Sequence, residues 1–226
     1  MHTNQEILNM SEKFDYEKSQ RMYDLLSGFN EIVLVSLLWI ITSLPIFTIG
    51  VSSSAMYHVV MKSIRKKEGK VISEFLGFFS KNFKRIIIPS VLFVLVLFCL
   101  LIGLNISQEN SKNSQAWGIA GYVYRLMILF LGMLGSMVFP TFTHSEDSGL
   151  KVMYTGAKLT VIHLFTSFTL ALMILLVVII NSWMFVLLLI TPALTTLIAS
   201  MVLETYLIDE IESGHIGEKE IIHEHV

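Results

Sequence analysis

An all-α, polytopic membrane helical bundle is the fold this sequence predicts, and three observations predict it. Of 226 residues, 54% are hydrophobic and only 15% are charged. A soluble domain carries about 25% charged residues, so too few charges are present here to cover a water-facing surface. The mean hydropathy is +0.67. Long stretches also pass without a single Asp, Glu, Lys or Arg, among them Ile86–Gln108 and Leu159–Leu203. The net charge of -2 averages a basic stretch against an acidic tail and decides little. A lone cysteine, Cys99, excludes an intramolecular disulfide framework and a Cys-based zinc site.

The sequence divides into a polar N-terminal segment (1–24), one membrane domain (25–206) and an acidic tail (207–226). The first segment has mixed charge and no apolar core, so it reads as no signal peptide. Crossing a hydrocarbon layer of about 30 Å takes about 20 apolar residues. Ile86–Gln108 and Leu126–Ser145 each meet that length. Leu159–Leu203 is about twice as long, so a turn at Asn181-Ser182-Trp183 divides it into two spans.

Ile32–Met61 is interrupted by Pro45, Gly50 and a run of serines. The expectation is a helix over 34–47, a break near 48–52 and a second helix from about Ser53 to Arg65. That second helix is a crossing, a re-entrant half-helix or a helix resting on protein. A single crossing gives five membrane segments and a hairpin gives six; six is preferred.

Lys70–Ile86 follows as an interfacial amphipathic helix. Val71, Phe75, Phe78, Phe79, Phe83 and Ile86 share one side at helical spacing, with Lys70, Lys81, Lys84 and Arg85 mostly elsewhere. Lys70, Phe75, Phe79, Lys81, Lys84 and Arg85 thus form the candidate docking surface for lipid or a protein partner. The cations gathered between Met61 and Ile86 place this segment and the C-terminus in the cytoplasm, in a multi-pass plasma-membrane topology.

The interruption also supplies a candidate solute site. A helix broken inside the bilayer exposes backbone groups that protein, water or solute must satisfy. Pro45, Thr48, Gly50, Ser52, Ser53, Ser54 and Tyr57 would surround such a place, where a neutral polyol or small anion could bind. The competing reading is a proline kink with serine capping and small-residue packing. His58 and His163 lie within apolar stretches that hold no carboxylate, which favours packing over proton relay and argues against ion coupling. The His and acidic residues of the tail lack a helical HExxH spacing, and neither a metal nor a cofactor is expected. No P-loop, dinucleotide fingerprint, GxSxG or paired catalytic carboxylates are present, so the expectation is not an enzyme, and nucleic-acid binding has no support.

The stretch from Phe29 to Arg65 resembles the YesL family of small bacterial membrane proteins. Leu44, Pro45, Thr48, Gly50, Ala55 and Tyr57 occupy the family's leucine-proline-x-x-threonine-x-glycine pattern, small residue and tyrosine. Phe75, Phe78, Phe79, Asn82 and Phe83 match its phenylalanine-rich element. A span end at Phe139-Pro140, a helix start bearing Lys158, and Pro192 are weaker matches. The resemblance runs from about Met22 to Asp209. Val51 departs from it, since many relatives carry proline there. It implies a multi-helix membrane protein of Gram-positive bacteria, often associated with carbohydrate-uptake ABC systems and without an established biochemical role.

Two functions compete on these grounds. The leading expectation is a non-enzymatic accessory protein that contacts ABC permease or ATPase subunits. The alternative is a small passive permease for a sugar-like or polyol solute, with the break as its site. The bilayer is the one certain partner, and a homo-oligomer is compatible with either function.

Overall fold

The computed structural model describes residues 28–112 and 114–212. The polar segment 1–24 and the His-containing tail past Glu212 lie outside the described residues. The described residues form seven α-helices: α1 (Gly28–Ser43), α2 (Ile49–Val59), α3 (Val71–Asn110), α4 (Gln115–His144), α5 (Gly149–Ile162), α6 (Leu164–Trp183) and α7 (Thr191–Glu212). Among the described residues there is no strand.

Three helices are long and apolar enough to cross a membrane: α3, α4 and α6. The bundle is therefore that of a helical membrane protein. Helix α1 and the apolar part of α7, Thr191–Glu204, are shorter. The long run is divided just after Trp183 and not at Asn181–Trp183, which stay helical. Of its two halves only α6 is long and apolar enough to span. Helix α6 ends at Trp183, a 3-10 turn follows over Phe185–Leu189, and α7 begins at Thr191. The Asn181 amide donates to the Thr191 hydroxyl (2.8 Å) and pins the two helix ends together. The start of α7 is held from afar, since Ala193 N–H donates to the Ser36 hydroxyl of α1 (3.3 Å).

The break in the first apolar region lies about four residues earlier than expected. Helix α1 stops at Ser43, and a 3-10 turn over Ile46–Thr48 leads directly into α2. Proline disfavours helical geometry in the residue before it, so Leu44 is where the helix yields. The Thr48 hydroxyl then donates toward the carbonyls of Thr42 and Pro45, 2.6 Å from each, and closes the turn. The serines do not start a helix. Ser52 and Ser54 lie inside α2 and are buried.

Helix α2 passes into a π-helical turn at Val60–Arg65 and then a loop in which Gly69 takes a positive φ of 78°. Only a residue without a Cβ adopts that backbone without strain.

The expected interfacial helix at Lys70–Ile86 is not a separate element. It is the first half of α3, which runs 40 residues without a break. At 1.5 Å per residue that is about 60 Å, twice the thickness of the hydrocarbon layer. Helix α2 lies antiparallel along this first half. Gly50 N–H meets Ser90, the His58 ring stacks on Phe78 at 4.6 Å, and Lys62 pairs with Glu74 at 3.1 Å. Helices α2 and α3 pack together over this length, as each of the three paths left open for the second helix allows. Their core holds Val35, Val51, Ala55, Val59, Val60, Phe75, Phe78, Ile86 and Phe142.

Helix α4 returns antiparallel to α3 and carries Pro140 inside it, four residues before its end. It therefore does not stop at Phe139-Pro140. Lys158 likewise sits near the end of α5, which starts at Gly149. Pro89 cannot donate to the carbonyl of Arg85 one turn earlier. Gly149 packs so closely against that carbonyl that a Cβ would overlap it.

Substituting Gly149→Ala should cost about 1–3 kcal/mol, because the obstacle is backbone and cannot rotate away. Gly77, in the exposed interior of α3, has nothing within 4 Å of an added Cβ. Gly77→Ala should stabilise by about 0.5–1 kcal/mol. Thermal unfolding in detergent checks both signs.

Candidate functional site

The break in the first apolar region is closed by protein. Gly50 N–H donates to the Ser90 hydroxyl at 3.0 Å, and that hydroxyl donates to the Phe47 carbonyl at 2.6 Å. Ser54 donates to its own turn at Gly50 (3.0 Å) and across to the Phe139 carbonyl of α4 (2.9 Å). Ser53 accepts from the indole of Trp39 at 3.1 Å, which ties α2 back to α1. An added Cβ on Gly50 would strike the Phe139 ring and come 2.8 Å from the Ser90 hydroxyl. The glycine thus marks where three helices meet.

Each candidate of the solute site now has a place. Pro45 caps the 3-10 turn, Thr48 closes it, and Gly50, Ser53 and Ser54 join neighbouring helices. Ser52 and Tyr57 are buried, and their hydroxyls have no hydrogen-bond partner among the described residues. Tyr57 meets the His144 ring edge-on at 6.2 Å. Backbone and packing thus use most of the polar groups that a polyol would need.

The docking surface is only partly a surface. Phe75 is 0% exposed and belongs to the core, and Phe79 packs against that core with stacked or tilted contacts to Phe75 and Phe83. The apolar face of the amphipathic pattern is spent on α2. Arg85 is also engaged internally. Its guanidinium donates to the carbonyls of Phe142 (2.9 Å), Ser145 (2.7 Å) and Asp147 (3.4 Å), and lies 5.5 Å from the Phe142 ring centre. Phe142 and Ser145 bear carbonyls at the C-terminus of α4, which a helix leaves without internal donors and where a cation is favoured. Arg85 is therefore a cap for α4, and Phe75 and Arg85 leave the docking set. Lys70, Lys81 and Lys84 remain exposed.

These residues belong to a charged end of the bundle, where α2 ends, α3 begins, α4 ends and α5 begins. Arg65 bonds Glu204 of α7 at 2.6 Å and the Ser200 carbonyl at 3.3 Å. Glu74 receives both Lys62 and His58, the latter at 3.5 Å. Lys81 reaches Glu146 at 3.4 Å. Lys151, one helical turn after Asp147, donates to its carboxyl at 2.9 Å and holds it below the usual carboxylate range. A depressed carboxylate supports the fold above its unfolded value and loses that support as pH falls through the folded one. The Asp147 pair therefore supports the fold at neutral pH and loses that support as pH falls through the lowered value of its carboxyl. Among the described residues no cluster of three or more His, Cys, Asp or Glu could hold a metal.

Several of these residues carried little sequence signal. Ser90 had some, as the sole hydroxyl in the apolar run from Ile86 to Gly103. Arg65 and Glu204 had none, because their pairing joins positions 139 residues apart.

A family profile described as "Protein of unknown function, DUF624" matches residues 32–104. The match runs from the first turns of α1 through the break and α2 and into the apolar half of α3. No curated protein and no solved structure matches the chain.

Ser90→Ala should destabilise by about 1–3 kcal/mol, since it removes the acceptor that buried Gly50 N–H uses. Ser80→Ala should change stability by less than about 0.5 kcal/mol, because Ser80 is exposed and bonds only within its own helix. Unfolding midpoints of the two variants in one detergent give the comparison.

Proposed function

We propose that this chain is a YesL-like, DUF624-type membrane protein of non-enzymatic role, acting as an accessory to a carbohydrate-uptake ABC transporter. One observation carries the docking part of this reading. Lys66, Lys67, Lys70 and Lys84 are exposed at one end of the bundle and have no ion pair among the described residues. Of the acidic groups beside them, Glu74, Glu146, Asp147 and Glu204 already hold internal partners, which leaves Glu68 against the four lysines. A surplus of one charge sign on a rigid face steers a complementary partner and fixes its register. The link to sugar uptake rests on the YesL resemblance; the family profile that matches the same motif carries no function.

The passive-permease reading has less to stand on. The break offers few free polar groups. A cleft of about 510 Å³ opens between α4 and α6, lined by Leu126, Leu129, Phe130, Met133, Leu164, Phe165 and Phe168. A polyol needs hydrogen-bond partners to leave water, and these side chains supply none.

The proposed topology draws on the same geometry. The basic half of α3 exceeds what a bilayer can hold, and α2 lies along that half. In the proposed arrangement α1 and α2 form a hairpin on the charged face, which the positive-inside rule puts in the cytoplasm.

Affinity purification of the tagged protein from native membranes in mild detergent should recover ABC permease or ATPase subunits above a matched membrane-protein control. The double variant Lys70→Glu/Lys84→Glu should lower that recovery several-fold while its unfolding midpoint is kept. Recovery of the chain alone, or equal recovery with both forms, contradicts the reading.

A further inference from the structure

At the end of the bundle opposite Lys66, Lys67, Lys70 and Lys84, where Lys112 follows the α3 end, α3 and α4 part around a small polar cleft of about 180 Å³. Ser107, Gln108 and Ser111 of the α3 end face Trp117, Tyr122 and Arg125 of α4 across it. The helices are held together below the opening, where the Ser107 hydroxyl donates to the Trp117 carbonyl. They are kept apart by what is missing. Gly118 has nothing within 4 Å of an added Cβ, and at Gly121 a Cβ would rest 3.4 Å from the Ser107 hydroxyl.

The lining is rich in donors and contains no carboxylate. Arg125 contributes a guanidinium, Trp117 an indole N–H, Gln108 an amide and Tyr122 a hydroxyl, while the Ser111 hydroxyl donates to the Gln108 carbonyl at 2.7 Å. The guanidinium lies 5.4 Å from the Tyr122 ring centre and has no ion pair among the described residues. A cation poised over an aromatic face in a niche of donors calls for an anion. A guanidinium fork fits a tetrahedral oxyanion in particular, offering two parallel N–H bonds. The opening is smaller than the roughly 300 Å³ from which drug-sized sites begin, so it suits a single compact group.

Its depth points the same way. Arg125 immediately precedes the uncharged run Leu126–Ser145, and Trp and Tyr gather where a membrane meets water. Phosphate groups are the anions present at that level. We propose that this cleft binds a phosphate group through Arg125, with Trp117 and Tyr122 as its aromatic walls. The phosphate is supplied by a lipid headgroup or free in solution.

The full chain in maltoside micelles, which contain no phosphate, allows a direct test. Short-chain phosphatidylglycerol, diacylglycerol of the same chains and inorganic phosphate are titrated in turn. The readouts are tryptophan emission and the unfolding midpoint. A Trp117→Phe variant identifies the part of the emission change that arises in the cleft.

The expected result is a saturable emission change and a raised midpoint with phosphatidylglycerol or with inorganic phosphate, and neither with diacylglycerol. A response to phosphatidylglycerol alone assigns the lipid headgroup; a response to inorganic phosphate assigns the free ion. Arg125→Gln should raise the half-saturating concentration roughly tenfold or more, the equivalent of one lost charge-assisted bond. Arg125→Lys, which keeps the charge without the fork, should fall between. The proposal is overturned if neither phosphate compound acts on the wild type, if diacylglycerol acts equally, or if Arg125→Gln responds as the wild type does.

Discussion

A helix broken among apolar side chains must find partners for the backbone groups it frees, and here that demand is met by one serine. Ser90 of α3 accepts from Gly50 and donates to Phe47, stitching both sides of the break to the long helix. Ser54 extends the stitch to α4 through Phe139. Gly50 is required at the same place because only a bare Cα lets the Phe139 ring and the Ser90 hydroxyl approach together. Unmet hydrogen bonds are expensive in an apolar setting, so this junction fixes the register of α2 on α3 and α4. From that register follow the burial of Phe75 and Phe78, the stacking of His58 and the pairing of Lys62 with Glu74.

The second consequence concerns where charge can go. Helix α3 is about twice as long as the hydrocarbon layer is thick, and the half beside α2 holds its Lys and Arg residues. The apolar face of that half is consumed by α2, so its cations are left as the outward feature of that end. Arg85 is the exception, turned inward to cap α4. The opposite end presents a different chemistry, with Arg125 among aromatic and hydroxyl groups, Lys112 beside them and no acid lining the cleft. The bundle thus has two distinct polar ends, to which the two proposals are assigned.

Much of the fold was legible in the sequence because the bilayer imposes a simple rule. Uncharged runs such as Ile86–Gln108 and Leu126–Ser145 lie inside long helices because every backbone group there must be satisfied within the segment. The turn after Trp183 was legible for the same reason, since no single helix could use so long a run. The break was visible at Pro45 but displaced toward the serines, whose capping preference is real only when their hydroxyls face free N–H groups. In α2 those hydroxyls face other helices. The amphipathic pattern at Lys70–Ile86 was read correctly as a helix and wrongly as a surface, because periodicity reports an apolar face and not what covers it. The role of Arg85 was hidden, since the carbonyls it caps lie 57 to 62 residues away. Helix α5 was missed because Gly149–Ile162 mixes polar and apolar residues with no span-like run.

Cysteine accessibility at Ser52 tests the central claim, that protein closes the break, most directly. Ser52 is 0% exposed at this junction and its hydroxyl makes no hydrogen bond there, so Ser52→Cys is a near-isosteric change. With Cys99 replaced by alanine, the folded protein in membranes is treated with a water-soluble maleimide, and Lys70→Cys serves as the accessible reference. The account predicts that Cys at 70 is labelled while Cys at 52 reacts only after denaturation. Labelling of Cys at 52 in the folded protein at a rate near that of the reference would mean that water reaches the break, and would contradict a closed junction.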